Sequence, residues 1–151
     1  MNYVPDTTIT EMFWTGQSRL NRLRFLKRNL ALSGFFLITF VAIVLAFGIN
    51  NNFEDITEET LENHPAILVS LAILQVVSAV VGYKLDVRRL KDLGKGKTLA
   101  VVALVCGLLG AGIRIIEFLV FAIAVYLLVA PGDKGPNMYG SDPLGNIKQK
   151  T

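Results

Sequence analysis

Long runs of residues without charge restrict the fold of this chain more than any other feature of its sequence. The first run, Leu30 to Ile49, contains twenty residues and no charged side chain, and a second run covers Ala66 to Tyr83. A helix of about 20 apolar residues is long enough to cross the roughly 30 Å hydrocarbon core of a bilayer. Apolar residues make up 52% of the chain and are bunched in such blocks, whereas a soluble domain would scatter them at helical or strand spacing. We therefore expect an all-α membrane protein.

The link that follows the second run, residues 83–97, indicates the orientation. It carries six of the fifteen Lys and Arg residues and two of the twelve acidic residues. Five basic residues also precede the first run, whereas the loop over residues 53–64 has five acidic residues and no Lys or Arg. Because positively charged loops stay on the cytoplasmic side, we expect the N-terminus and the basic link inside and the acidic loop outside. The basic residues flank apolar runs, so the expected partner is the anionic headgroup of lipid and not nucleic acid.

The segment before the first run has the pattern of a basic amphipathic helix. Leucines recur there at steps of three to four, at Leu20, Leu23, Leu26 and Leu30, among five basic residues. We predict an N-terminal segment over residues 1–29 whose helix lies in the membrane interface. Two roles are open for this helix: it binds anionic lipid or a partner, or it only anchors and orients the first span. Upstream, Thr8-x-x-Glu11 matches the capping box that begins many helices.

The segment Thr98 to Ala130 is harder to interpret, because its 33 residues are too many for one ordinary span and few for two. Charge interrupts it only at Arg114 and Glu117, just after three glycines. We predict two short helices with a turn near residues 110–114, and contact between Arg114 and Glu117 on one helix face at the outer interface. The alternative is one tilted helix, which would place this pair in the middle of the bilayer, where ionisable residues usually mark function.

These segments together predict four transmembrane helices, in a domain over residues 30–130. The helices are expected at residues 30–49, 66–84, 97–112 and 114–130. The tail, residues 131–151, is rich in Gly and Pro and is not expected to form helix or strand. Four crossings return it to the cytoplasm, so both termini are expected inside.

The sequence lacks the motifs on which enzymes depend: it has no His/Ser/Asp set, metal-ligand cluster or phosphate loop. Its single cysteine, Cys106, lies in an apolar run, so neither a disulfide framework nor a cysteine metal site is expected. We therefore expect a non-enzymatic structural or interacting membrane subunit without a cofactor. Small residues at helical spacing, with Gln75 beside them, favour close helix packing, self-association or contact with another membrane protein. The alternative is an oligomeric channel or transporter for a small solute or ion, lined by Gln75 and the serines of the second run, Ser70 and Ser78.

Three polar segments carry a resemblance to a known family. The matching residues are Phe13, Gly16 and Arg19 before the first run, Arg88, Arg89, Leu90, Asp92, Gly94 and Lys95 in the basic link, and Pro131, Gly132, Gly135, Asn137, Tyr139, Gly140 and Pro143 in the tail. With these residues the chain resembles domain-of-unknown-function family 805, which consists of small bacterial inner-membrane proteins. The chain departs from the family at Gln17 and Lys91, where Arg and His are favoured. The resemblance implies a bacterial inner-membrane protein and implies no biochemical activity.

The expected topology places all three segments on the cytoplasmic side. We predict that Asp92 forms an ion pair there with Arg19, Arg88 or Arg89, and that Asn137 and Tyr139 close over it. Nearby positive charges should favour the charged carboxylate. One interpretation is a folded cap that closes the helices, and the other is a site for a lipid headgroup or phosphate built from spare arginines.

Overall fold

The computed structural model describes residues 5–15, 18–46, 65–110 and 112–145, so Gly16 and the acidic loop lie outside the described residues. Within these ranges the fold is all-helical and contains no strand, as predicted. The elements are an N-terminal helical turn (Glu11–Thr15), α1 (Arg22–Ala46), α2 (Pro65–Asp92), α3 (Thr98–Leu109) and α4 (Arg114–Val129). Two of them, α1 and α2, are long and apolar enough to cross a membrane.

The N-terminal turn begins with the predicted capping box. The Glu11 N–H donates to the Thr8 hydroxyl at 3.1 Å, and the Glu11 carboxylate accepts from the Thr8 N–H at 3.3 Å. It also accepts from the Thr7 N–H at 2.8 Å. These reciprocal bonds satisfy backbone donors that the first turn of a helix leaves unpaired.

Helix α1 begins with a cap at Asn21, whose side-chain oxygen accepts from the Arg24 N–H at 2.9 Å. It then continues without a break to Ala46. The prediction of a separate interfacial helix before residue 30 is therefore wrong, since four of those five basic residues lie in the first turns of α1 and Arg19 lies just before it. No proline lies between Arg22 and Ala46 to end the helix earlier.

Helix α2 extends beyond the predicted end of its apolar run. The run ends at Tyr83, whereas residues 84–92 contain six charged residues and remain helical to Asp92. The helix closes in a Schellman motif, in which Lys95 N–H bonds the Leu90 carbonyl at 2.9 Å and Gly94 N–H bonds the Lys91 carbonyl at 3.2 Å. Gly94 has φ +67°, a conformation that suits glycine.

Helices α3 and α4 confirm the prediction of two short helices with a turn near residue 110, and they contact each other. At the turn Gly112 has φ +84°, and its N–H donates to the Glu117 carboxylate at 3.1 Å. The predicted contact of Arg114 with Glu117 is wrong, because that carboxylate bonds the backbone and the described residues show no ion pair between the two. Glu117 acts instead near the N-terminus of α4, where a negative charge is favourable.

The described chain forms two compact units. One comprises residues 31–46 and 65–78, and it exposes large apolar side chains such as Ile38 and Ile73. It also has a groove of about 390 Å³ that is lined in part by Phe40, Gln75 and Ser78. The other unit comprises residues 5–30 and 79–145 without the undescribed positions, and it contains the buried charged residues described next.

Candidate functional site

Four charged residues are buried in the second unit, where the N-terminal segment, the end of α2 and the tail meet. We call these segments and their buried charges the cap. Arg19, Arg88, Arg89 and Asp92 are each at most 3% exposed. Arg19 lies just before α1, and the other three lie in the last two turns of α2. Buried charges at this level of burial need partners, because their hydration is lost.

Asp92 is the acceptor at the centre of the cap. Its Oδ1 atom accepts from Arg19 Nε at 3.2 Å and lies 3.2 Å from Arg19 Nη2. Its Oδ2 atom forms an ion pair with Arg89 Nη1. The predicted pairing with Arg19 and Arg89 is thus observed, and one carboxylate lies between two guanidinium groups.

The remaining donors of these arginines reach backbone carbonyls. Arg19 donates to the carbonyls of Gly135 and Asp133 at 2.6 Å each. Arg89 donates through Nε to the Leu127 carbonyl at 2.7 Å, and through Nη2 to the Ala130 carbonyl. Arg19 therefore holds the tail, and Arg89 holds the C-terminal end of α4, where carbonyl groups lack helical partners.

The tail covers Asp92 through Gly132 and Asp133. The Asp133 N–H donates to the Asp92 carbonyl at 2.7 Å, and Gly132 lies so close to the Asp92 carboxylate that a Cβ atom would collide with it. Asn137 instead bonds the Lys91 carbonyl at 2.9 Å, and the Tyr139 N–H bonds Asn137. The prediction that Asn137 and Tyr139 close over Asp92 is therefore wrong, although both belong to the cap.

A second ion-pair cluster lies beside the first. Asp6 Oδ2 is 2.5 Å from Arg88 Nη2 and 2.7 Å from Arg28 Nη2. Arg88 also donates to the carbonyl and hydroxyl of Ser18 at 3.0 and 2.8 Å. The described contacts of Arg88 thus lie with the N-terminal segment and not with Asp92. Of the three arginines predicted to pair with Asp92, Arg88 therefore does not.

The electrostatics of the cap differ from the expectation in one respect. Burial raises the pKa of the Asp92 carboxyl above its usual range, because the cost of desolvating the charge exceeds the attraction of Arg89 and Arg19. Burial likewise lowers the pKa of Arg89, and the negative charge of Asp92 offsets part of this decrease. The expectation that positive neighbours would dominate for Asp92 is wrong. In the tail, chiefly the Leu144 N–H holds the pKa of the Asp142 carboxyl below its usual range.

Most of the residues singled out from the sequence meet at the cap. Gly94 lies against the Asp133 carboxylate, the Gly140 carbonyl accepts from Arg19 at 3.4 Å, and Pro143 is fully buried. Phe13 is part of the N-terminal turn, and Pro131 is an exposed residue at the start of the tail. Three lie elsewhere: Gln75 in the first unit, and Arg114 and Glu117 at the α3–α4 turn.

Four residues of the cap were missed in the sequence: Asp6, Ser18, Asp133 and Asp142. Asp142 precedes Pro143, a dipeptide that favours turns, and its carboxylate accepts from the N–H groups of Gly135 and Leu144. That dipeptide was a usable signal. Asp6, Ser18 and Asp133 lie in polar stretches without a spacing that distinguishes them.

The family is decided by a match to a family model described as "protein of unknown function (DUF805)", over residues 13–141. The chain belongs to the DUF805 family. The match begins in the N-terminal turn and ends in the tail, so it includes both Arg19 and Gly140 of the DUF805 cap. No curated protein and no solved structure matches this DUF805 chain.

Substituting Gly132 tests how tightly the tail packs on Asp92. We expect Gly132→Ala to lower stability by about 1–3 kcal/mol, because the added methyl collides with the carboxylate between two arginines. Gly96→Ala is the matched control, since a Cβ atom there would meet the Tyr139 hydroxyl at an ordinary contact distance of 3.9 Å. This substitution should change stability by less than about 0.5 kcal/mol. Thermal unfolding in detergent measures both, and unchanged stability of Gly132→Ala would show that the tail is loosely placed.

Proposed function

We propose that this chain is a non-enzymatic integral membrane protein, with four transmembrane helices and both termini in the cytoplasm, that acts as a structural or interacting subunit. One observation supports the membrane assignment above all. In the most apolar stretches of α1 and α2, only 6% and 11% of the residues are buried. The core helix of a soluble domain would be mostly buried, and soluble proteins rarely expose apolar patches of this extent.

The contacts at the cap support a common side for both termini. Arg28, in the first turns of α1, and Arg88, near the end of α2, both contact Asp6. Five residues separate the end of α2 from the start of α3, and the end of α4 is bonded to Arg89. One end of every helix therefore lies at the cap, and the positive-inside rule assigns this end to the cytoplasm.

Helices α3 and α4 are short compared with the thickness of the membrane that we propose they cross. At about 1.5 Å per residue, a helix of 12 residues measures about 18 Å and one of 16 residues about 24 Å. Both are shorter than a bilayer core of about 30 Å. Local thinning of the bilayer accommodates short helices at modest cost, so we propose a thinned membrane around this pair.

The polar chemistry of the cap supports a structural role. The guanidinium groups of Arg19 and Arg89 bind Asp92 and backbone carbonyls. Those carbonyls belong to the tail and to the C-terminal end of α4. Along the helices, Gly34 and Gly82 have open space where a Cβ atom would lie. Small residues of this kind let another helix approach closely, so we propose that the partner is a second copy or another membrane protein.

The groove with Gln75 and Ser78 favours a second candidate, an oligomeric channel or transporter. Both side chains are polar within an otherwise apolar groove. Oligomeric state and conductance of the purified protein in lipid separate the two functions. An oligomer without flux supports the subunit, a conducting oligomer supports the channel, and a monomer without flux counts against both.

The topology is tested by labelling single cysteines in a background that lacks Cys106. We expect a membrane-impermeant maleimide to label Glu58→Cys in intact bacterial cells. Lys91→Cys and Lys148→Cys should be labelled only after the cells are permeabilised, because the basic link and the tail lie inside. Labelling of Lys148→Cys in intact cells would show that the number of crossings is odd.

A further inference from the structure

A second groove, of about 390 Å³, lies beside the cap and is lined by the N-terminal turn and the later turns of α2. Three basic side chains line it, Lys84, Arg88 and Lys91, together with two aromatic ones, Trp14 and Tyr83. No acidic residue is among its lining residues. The groove is therefore positively charged and partly aromatic.

The basic residues are spaced so that one helix face presents them together. Positions 84, 88 and 91 differ by four and three, which places them on the same side of α2. Arg88 is bound to Asp6 and Ser18, so the charge available to a ligand lies on the two lysines. Lys84 Nζ donates to the Trp14 carbonyl at 3.0 Å and lies 4.3 Å from the centre of its ring.

Each lysine retains donors for a ligand. An ammonium group has three N–H donors, and the described contacts of Lys84 use one of them in a hydrogen bond. The Lys91 ammonium forms no ion pair with any residue that the structure describes. Thr15 also lines the groove, and a threonine hydroxyl is a further hydrogen-bond donor.

The position of the groove along α2 points to the source of its ligand. Tyr83 is the last residue of the apolar run, and the charged part of α2 begins at Lys84. Trp and Tyr are enriched where a membrane meets water. In the proposed topology the groove thus opens at the level of the lipid headgroups on the cytoplasmic side.

We infer that this groove binds the phosphate of an anionic phospholipid headgroup, with Lys84, Lys91 and Thr15 as donors. The inference rests on the proposed membrane function and names a ligand for it. Lysine binds phosphate as a point charge, and it contributes to attraction by anionic lipid surfaces. Trp14 packs against Lys84 and places the groove at the boundary between headgroups and acyl chains.

The experiment uses Trp14 as its reporter, because it is the one tryptophan of the chain. The full-length protein is reconstituted in phosphatidylcholine vesicles that contain a small, equal fraction of brominated phosphatidylglycerol or brominated phosphatidylcholine. The bromine atoms are placed near the carbonyl end of an acyl chain and quench nearby tryptophan. We expect stronger quenching by brominated phosphatidylglycerol.

Two variants with the same change in charge locate the effect. Lys84→Gln/Lys91→Gln should lose the preference for phosphatidylglycerol over phosphatidylcholine. Each lysine that is replaced should lower the relative affinity for phosphatidylglycerol by about fivefold. Lys97→Gln/Lys134→Gln, at two exposed lysines outside the groove, should keep it. Lys91→Gln alone should lose part of the preference while the contact of Lys84 with Trp14 remains. Equal loss in both double variants would overturn the groove assignment in favour of general surface charge.

The remaining outcomes distinguish the sources of phosphate and the two proposals. Quenching by phosphatidylglycerol that persists in excess inorganic phosphate supports the lipid, whereas its reversal assigns the groove to a soluble phosphate ligand and overturns the inference. Equal quenching by both lipids overturns the groove but leaves the membrane proposal standing. Absence of quenching by either lipid contradicts the membrane proposal itself.

Discussion

Asp92→Asn should lower the thermal unfolding temperature in detergent far more than Asp86→Asn does. The substitution leaves the guanidinium groups of Arg19 and Arg89 buried without a negative charge, and both side chains are fully buried. The amide nitrogen of Asn would also place a donor against a guanidinium donor. Removing one partner of a buried ion pair costs about 3–5 kcal/mol, even where the intact pair contributes little net stability because of desolvation.

Asp86 is the matched control, because it is the same residue type six positions earlier on α2 and beyond its apolar run. Its carboxylate has no hydrogen bond or ion pair with the residues described, and burial raises its pKa to about 7. A raised folded-state pKa means that this group favours folding below pH about 4 and loses that contribution as pH rises to about 7. Asp86→Asn should thus have equal or higher stability above pH 7. Equal melting temperatures for the two variants would show that the cap does not depend on Asp92.

Arg89→Lys should destabilise the protein by about 2–4 kcal/mol, although it keeps the charge. The planar guanidinium reaches Asp92, the Leu127 carbonyl and the Ala130 carbonyl in different directions. A lysine ammonium is a compact charge that cannot reproduce this fork. Each lost hydrogen bond to a charged group costs about 1.5–3 kcal/mol. The end of α4 and the tail should then become accessible to protease, which limited proteolysis after residue 130 measures.

Arg22→Lys provides the control for this second substitution. Arg22 is exposed at the first residue of α1, so its replacement by lysine should change the unfolding temperature little. If Arg89→Lys behaved like Arg22→Lys in both unfolding and proteolysis, charge alone would account for the role of Arg89.

The helices were largely predictable because apolar runs and glycines mark their extent. The break between α3 and α4 was placed correctly from the charges and glycines near residue 112. The ends of α1 and α2 at the cap were not, because a change from apolar to charged residues marks where hydrophobicity stops and not where the helix stops. Arg22 and Asp92 lie in helical turns that continue past the apolar runs.

The centre of the cap was predictable, but its other contacts were not. The distribution of basic residues predicted that Arg19, Arg89 and Asp92 lie on the same side of the membrane. In the structure both arginines form ion pairs with Asp92. Sequence patterns indicate side chains, whereas most acceptors of Arg19 are backbone carbonyls of the tail, such as that of Asp133. Asp6 gave no signal, because a single aspartate in a polar segment does not indicate which arginine it will meet.

The distance along the chain between Arg19 and its acceptors has a consequence for biosynthesis. Asp92 follows Arg19 by 73 residues, the Asp133 carbonyl by 114 and the Gly140 carbonyl by 121. A ribosome adds about 5–20 residues per second from the N-terminus, so Arg19 is made well before these groups exist. All of the helices must leave the ribosome before the tail can reach Arg19. The bonds of Arg19 to the tail can therefore form only after residue 140 has been synthesised, and a chain that stops before Asp133 leaves the Arg19 guanidinium without these carbonyl acceptors.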